Sequence, residues 1–142
     1  MNVRSYRELE VWKLGMRLAH DVCLLSKAFP VEERFGLVVQ MRRAAVSVPA
    51  NIAEGHARES TREFLRYLLI ARGSLAEVET YVQLAEDLGY CAATSAQEIL
   101  GLCDREGRML RGLQKALKAR AGRATQAAVA PAPRPSPPIP LS

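Results

Sequence analysis

Between Phe64 and Ala85, the apolar residues Phe64, Leu68, Ala71, Leu75, Val78, Val82 and Ala85 follow one another at alternating steps of four and three. That spacing lines them along one face of an α-helix; a strand, whose side chains alternate every second residue, cannot bring them together. A heptad seam of this length packs against other helices with a left-handed twist. Leu65, Leu69 and Ala76 flank the seam on one side, and Ile70, Tyr81 and Leu88 on the other. A helix apolar over so wide an arc is covered on more than one side. Surplus apolar surface of this kind predicts an oligomer.

Local signals predict three companions for this helix. Ser5 with Glu8 reads as a capping box, opening a first helix that runs to about Ala28. It has two apolar stripes, Leu9, Trp12, Met16, Ala19 and Cys23 beside Val11, Leu14, Leu18, Val22 and Leu25. Pro30 ends it, because proline disfavours a helical residue before it. A second helix is expected from about Val31, with Glu32 and Glu33 in its first turn, where the dipole favours acids. It must pass Pro49, which removes the bond to the Ala45 carbonyl and predicts a kink near Val46–Pro49, and Gly55 ends it. Ser60 with Glu63 caps the third helix, which stops at Gly89. Thr94 or Ser95 opens a fourth, running to about Ala119.

The expected fold is therefore all-α: an antiparallel up-down-up-down four-helix bundle over residues 1–120. A chain of 142 residues, 49% hydrophobic but only 6% aromatic, can bury one such core of Leu, Ala and Val. Residues 121–142 change character, holding six of the eight prolines, and are expected to form a disordered Pro/Ala-rich tail.

Several function classes are excluded on residue grounds. A di-iron bundle needs inward Glu-x-x-His pairs. His20 and His56, the two histidines, are preceded at that spacing by Arg17 and Ala53. There is no G-x-S-x-G elbow and no phosphate loop. Arg72-Gly73-Ser74 lies mid-helix, where Gly73 suggests a close helix crossing instead. No catalytic residue, metal or cofactor is expected. Cys23, Cys91 and Cys103 show no pairing motif; Cys23 and Cys103 fall in apolar helical patterns and read as small hydrophobes. No apolar run suits a signal peptide or a membrane span, so a cytoplasmic protein is expected.

The net charge of +5 is unevenly spread, with 12 basic and 8 acidic residues in 1–73, 5 and 7 in 74–118, and 3 and 0 beyond. Two basic groups stand out. Arg58, Arg62 and Arg66 repeat every four residues, and Arg105, Arg108, Arg111, Lys115 and Lys118 run down one helical face toward Arg120 and Arg123. Clustered cations of this kind bind phosphates by releasing counterions. Glu59, Glu63, Asp104 and Glu106 dilute both groups, and no aromatic residue interleaves to stack bases.

The second helix carries a further pattern. Val38, Met41, Ala45, Val48 and Ile52 form its apolar stripe, and beside it Gln40, Ser47, Asn51 and Glu54 fall within roughly 60° of arc. With Arg42 and Arg43, and with Arg72, Ser74 and Glu77 on the third helix, they make either a hydrogen-bond network that sets helix register or a ligand site. Glu54 is expected to pair with an arginine or with backbone donors, Arg43 and Arg72 being the best candidates.

The run Gln40-Met-Arg42-Arg43-Ala-Ala-Val-Ser47-Val-Pro-Ala-Asn51-Ile52-Ala53-Glu54-Gly55 closely resembles the Q-x-R-R-A-x-x-S-x-x-x-N-I-A-E-G signature of the 23S rRNA intervening-sequence protein family. Leu9-Glu10-Val11-Trp12, Phe29-Pro30 with Glu33-Arg34-Phe35-Gly36-Leu37, and Ala71–Glu77 match in the same order, so the resemblance covers residues 5 to about 118. It implies a four-helix subunit in a ring-shaped homopentamer. Because the family includes relatives of the accessory variability protein of diversity-generating retroelements, it also implies contact with RNA or DNA and with a reverse transcriptase or other protein. Two readings follow: a non-catalytic oligomer that binds nucleic acid non-specifically through arginines, or a structural or protein-interaction scaffold without that activity.

Overall fold

All seven seam residues from Phe64 to Ala85 are buried, along one face of a single helix. The computed structural model describes residues 4–128. Four helices carry the fold: α1 (Glu10–Ser26), α2 (Leu37–Ala57), α3 (Thr61–Asp87) and α4 (Ala93–Ala128), with no strand among the described residues. α1 packs on α2 and α4, and α3 packs on the same two, so the core lies inside a square of helices. Tyr6, His56, Thr61 and Arg120 line one cleft, which puts the start of α1, the end of α2, the start of α3 and the later part of α4 at one end. At the other end Tyr90, after α3, stacks on Phe29, after α1. The helices therefore alternate up and down. No helix among the described residues is long and apolar enough to cross a membrane.

The local signals succeed where the cap chemistry is complete. Ser60 Oγ accepts from the Glu63 amide at 3.3 Å, and α3 ends at Asp87 before Gly89, whose φ of +74° suits glycine. α2 runs through Pro49 as one helix. Elsewhere the boundaries move. Ser5 caps only a 3₁₀ turn, Tyr6–Glu8, through the Arg7 amide at 3.2 Å, and α1 begins at Glu10 and ends at Ser26. Val31–Glu33 is likewise a 3₁₀ turn, so α2 starts six residues later than its first acids suggest. There Glu33 Oε2 accepts from the Leu37 amide at 3.2 Å, while Glu33 Oε1 accepts from the Tyr90 hydroxyl at 3.2 Å. One carboxylate thus caps α2 and ties it to the α3–α4 turn.

Two glycines play roles other than those their positions suggest. Gly55 does not end α2 but lies inside it, buried where α2 presses on α3. Gly73 faces open space: a Cβ added there would meet nothing within 4 Å, so it marks no close crossing in this subunit. α4 begins at Ala93 and continues to Ala128, past both the expected end at Ala119 and the expected start of the tail. No proline interrupts residues 120–128, since the prolines of this end begin only at Pro131, and Gly122 alone does not stop the helix. The rest of the expected tail lies outside the described residues.

Candidate nucleic-acid interface

The polar ladder of α2 divides among separate partners. Asn51 Nδ2 donates to the Ser47 carbonyl at 2.7 Å and to Ser47 Oγ at 2.8 Å, and Ser47 Oγ meets Ser74 Oγ on α3 at 2.7 Å. This chain of three residues links α2 to α3 in a partly buried contact. Replacing Ser74 by Val should destabilise the fold by about 1–2 kcal/mol, because Ser47 loses its partner across the interface. Changing Ser47 and Ser74 together to Ala should approach neutrality, since neither hydroxyl then needs the other. Urea titrations of the two variants check this; equal losses would mean the pair does not couple.

Arg42 turns toward α1 instead. Its Nε donates to Ser26 Oγ at 2.8 Å and its Nη2 to the Cys23 carbonyl at 3.4 Å, fastening α2 to the last turn of α1. Arg72 Nη1 donates to Gln114 Oε1 on α4 at 3.1 Å. Glu54 does pair with an arginine, but the arginine is Arg58 and not Arg43 or Arg72. It accepts from Arg58 Nη2 at 3.2 Å and from the Tyr67 hydroxyl at 3.1 Å, because Arg58 lies one turn on in the same helix and α3 brings Tyr67 alongside. Gln40, Arg43 and Glu77 are exposed, and their side chains form no hydrogen bond or ion pair among the described residues.

The two basic groups also differ. Tyr67 lies between Arg58 and Arg66, whose guanidinium carbons stand 5.3 and 4.7 Å from its ring centre. Arg66 Nε bonds Glu63 Oε2 at 2.8 Å and holds that carboxyl below its ordinary range. Two members of this group are therefore engaged within the subunit, and Arg62 stands exposed without an ion pair. On α4, Arg105, Arg108, Arg111 and Lys115 are all exposed, with only Arg108 paired, to Asp104 at 3.1 Å.

What sequence spacing could not show is where the α4 row leads. It runs toward a cleft of about 760 Å³ at the end of the bundle, lined by Arg120, Arg4, His56, Thr61 and Glu59. From Arg105 to Arg120 the helix rises about 22 Å, over which one strand of a duplex presents about six phosphates. Arg4 and His56 come from opposite ends of the first half of the chain, and only the antiparallel topology unites them with Arg120.

One further residue departs from its surface reading. Glu106 does not sit with the basic row but is fully buried, with no hydrogen-bond partner for either oxygen among the described residues. Burial alone pushes its carboxyl up to about 8. The signal was present, since Ala96, Ile99, Cys103, Glu106 and Leu110 keep the 3-4-3-4 spacing of a core seam.

Residues 7–112 match the family described as 23S rRNA-intervening sequence protein. The chain belongs to that family. The fold agrees with the crystal structure of a protein of unknown function from the S23 ribosomal protein family of Bacteroides thetaiotaomicron VPI-5482. The two share a TM-score of 0.69 and 23% identity over 74% of this chain and 98% of the other. No curated protein matches the sequence. The family match takes in all of α1, α2 and α3 and ends within α4 at Gly112, so Lys115 and Arg120 lie beyond it.

Proposed function

We propose that this member of the intervening-sequence family is a non-catalytic, self-associating bundle that holds RNA or DNA by its phosphate backbone in the cytoplasm. The observation that carries the reading is the set of exposed cations along α4, with Arg108, Arg111 and Lys115 within about 60° of one another, Arg105 on the flank toward α1, and Arg120 with Arg4 lining the cleft at the end of the bundle. Long guanidinium and ammonium side chains at helical spacing follow a phosphate backbone without reading bases. Of the aromatic rings among the described residues, exposed Phe35 sits at the opposite end of the bundle from the cleft, and the half-buried Tyr6, packed edge-on against Trp12, lines the cleft itself.

Self-association rests on apolar side chains that the subunit leaves uncovered. Leu69 (57% exposed), Ile70, Leu84 and Leu88 (52%) on α3, and Met16 and Leu24 on α1, keep much of their surface outside the bundle's own contacts. Copies arranged as a ring, a pentamer by family resemblance, cover such flanks and repeat the basic path once per subunit, which converts a weak contact into an avid one. A reverse transcriptase or another protein is the alternative occupant of the apolar flanks, and that scaffold role stands if nucleic acid does not bind.

Fluorescence anisotropy with labelled RNA and DNA, beside light scattering, tests both parts. Binding should fall steeply with salt and differ little among sequences. A particle several times the 15.6 kDa chain mass is expected. Absence of binding at low salt would leave the scaffold role, and a monomer mass at micromolar concentration would end the assembly.

A further inference from the structure

We propose that Glu106 is an internal proton-binding site, held neutral inside the bundle by the close approach of α1 at Gly15, so that folding takes up one proton. The geometry is specific. Glu106 projects from the seam face of α4 with no exposed surface, and neither carboxyl oxygen has a hydrogen-bond partner among the described residues. A Cβ at Gly15 would stand 2.7 Å from Glu106 Oε2, with Val48 Cγ1 and Pro49 Cβ of α2 each 3.5 Å from it. Gly15 thus vacates the volume that the carboxyl fills.

Among the described residues no charged group offsets the burial of that carboxyl. Val48 and Pro49 of α2, which border the Gly15 gap, do not titrate, and Glu10, Lys13 and Arg17 of α1 line a groove with Arg105 and Met109. On α3 the basic residue that reaches the interior of α4 is Arg72, and it is bound to Gln114, two turns further on. Glu79 of α3 acts on Cys103 and not on Glu106. Cys103, one turn before Glu106 on α4, is itself a buried thiol pushed up to about 12. An ionised carboxylate in such a place loses its hydration without gaining a cation or a donor, whereas the neutral acid fits.

The direction of the pH dependence follows from linkage. The folded-state value, about 8, lies above the ordinary 4.5 of an exposed glutamate. The contribution is therefore fully present below about 4.5, and it is lost as pH rises to about 8, because the unfolded chain releases the proton first. Across that window the unfolding equilibrium constant should rise about tenfold per pH unit relative to a chain with no acid at this position, and then level off.

The full chain and its Glu106→Gln variant, unfolded in urea across that window and above it, read this out. The expected result is that their unfolding constants diverge with rising pH and run parallel above about pH 8. Parallel curves throughout would overturn the proposal. If Glu106→Gln does not fold, Glu106→Met serves as the uncharged reference. Infrared spectra of the unaltered protein at neutral pH give an independent reading. The carbonyl band of a protonated carboxyl is expected, titrating near pH 8, and its absence would show that the site is ionised.

Discussion

Gly55→Ala should lower the stability of the fold by about 3 kcal/mol, the upper part of the range for overpacking a core. The added methyl would lie 2.6 Å from Tyr67 Cβ, 3.1 Å from Phe64 Cδ1 and 3.4 Å from Phe64 Cα. The first and last of these atoms belong to or adjoin the α3 backbone, so no rotamer change relieves the contact and the helices must separate. Separation disturbs the Tyr67 bonds to Glu54 and Arg58 as well. In a domain of this size such a loss corresponds to a fall in melting temperature of about 10–20 °C. Gly73→Ala provides the contrast. The same methyl meets nothing there and removes a mid-helix glycine, so a gain of up to about 1 kcal/mol is expected. Thermal melts followed by circular dichroism compare the two. Similar melting temperatures would mean that α2 and α3 are not held as closely as the geometry states.

Reversing three charges on α4, with Arg105→Glu, Arg108→Glu and Arg111→Glu together, should weaken nucleic-acid binding by about a hundredfold or more at low salt. Each lost phosphate contact lowers the slope of log affinity against log salt by about 0.9, so the slope should fall by about 2.7. The fold should tolerate the change, because all three side chains are exposed and only Arg108 has an ion-pair partner, Asp104. Anisotropy titrations over a range of salt, with light scattering as the control for assembly, measure both effects. Unchanged affinity in a folded, assembled variant would remove α4 from the interface. The corresponding reversal at Arg58, Arg62 and Arg66 is a less clean test. There Arg58 and Arg66 hold Glu54, Glu63 and Tyr67, so lost binding would be mixed with local rearrangement.

Much of the architecture is legible because it is written in short-range rules. The α3 seam, the stripe Val38 to Ile52 on α2, the Ser60 cap and the Gly89 stop each depend on residues within a turn or two of one another, and all stand in the structure. The starts of α1 and α2 lie later than their local signals suggest because a short 3₁₀ turn precedes each helix, capped by Ser5 before α1 and containing Glu33, the residue that caps α2, before α2. The candidate site is legible only as residue types. Periodicity assigns Ser47, Asn51 and Glu54 to one face of α2, yet it does not say that Ser74 waits opposite the first and Tyr67 opposite the last.

The sequence by itself determined that four helices form, which faces they bury and where the cations gather along α4, because helical geometry converts spacing directly into direction. Tertiary structure alone decided what each face meets. It placed Arg4 beside Arg120, turned Gly55 from a stop into a contact, and buried Glu106 against the gap left by Gly15. A side chain's partner across an interface, unlike its direction, depends on the register and separation of helices far apart in the chain. Those are set by the packing of the whole core.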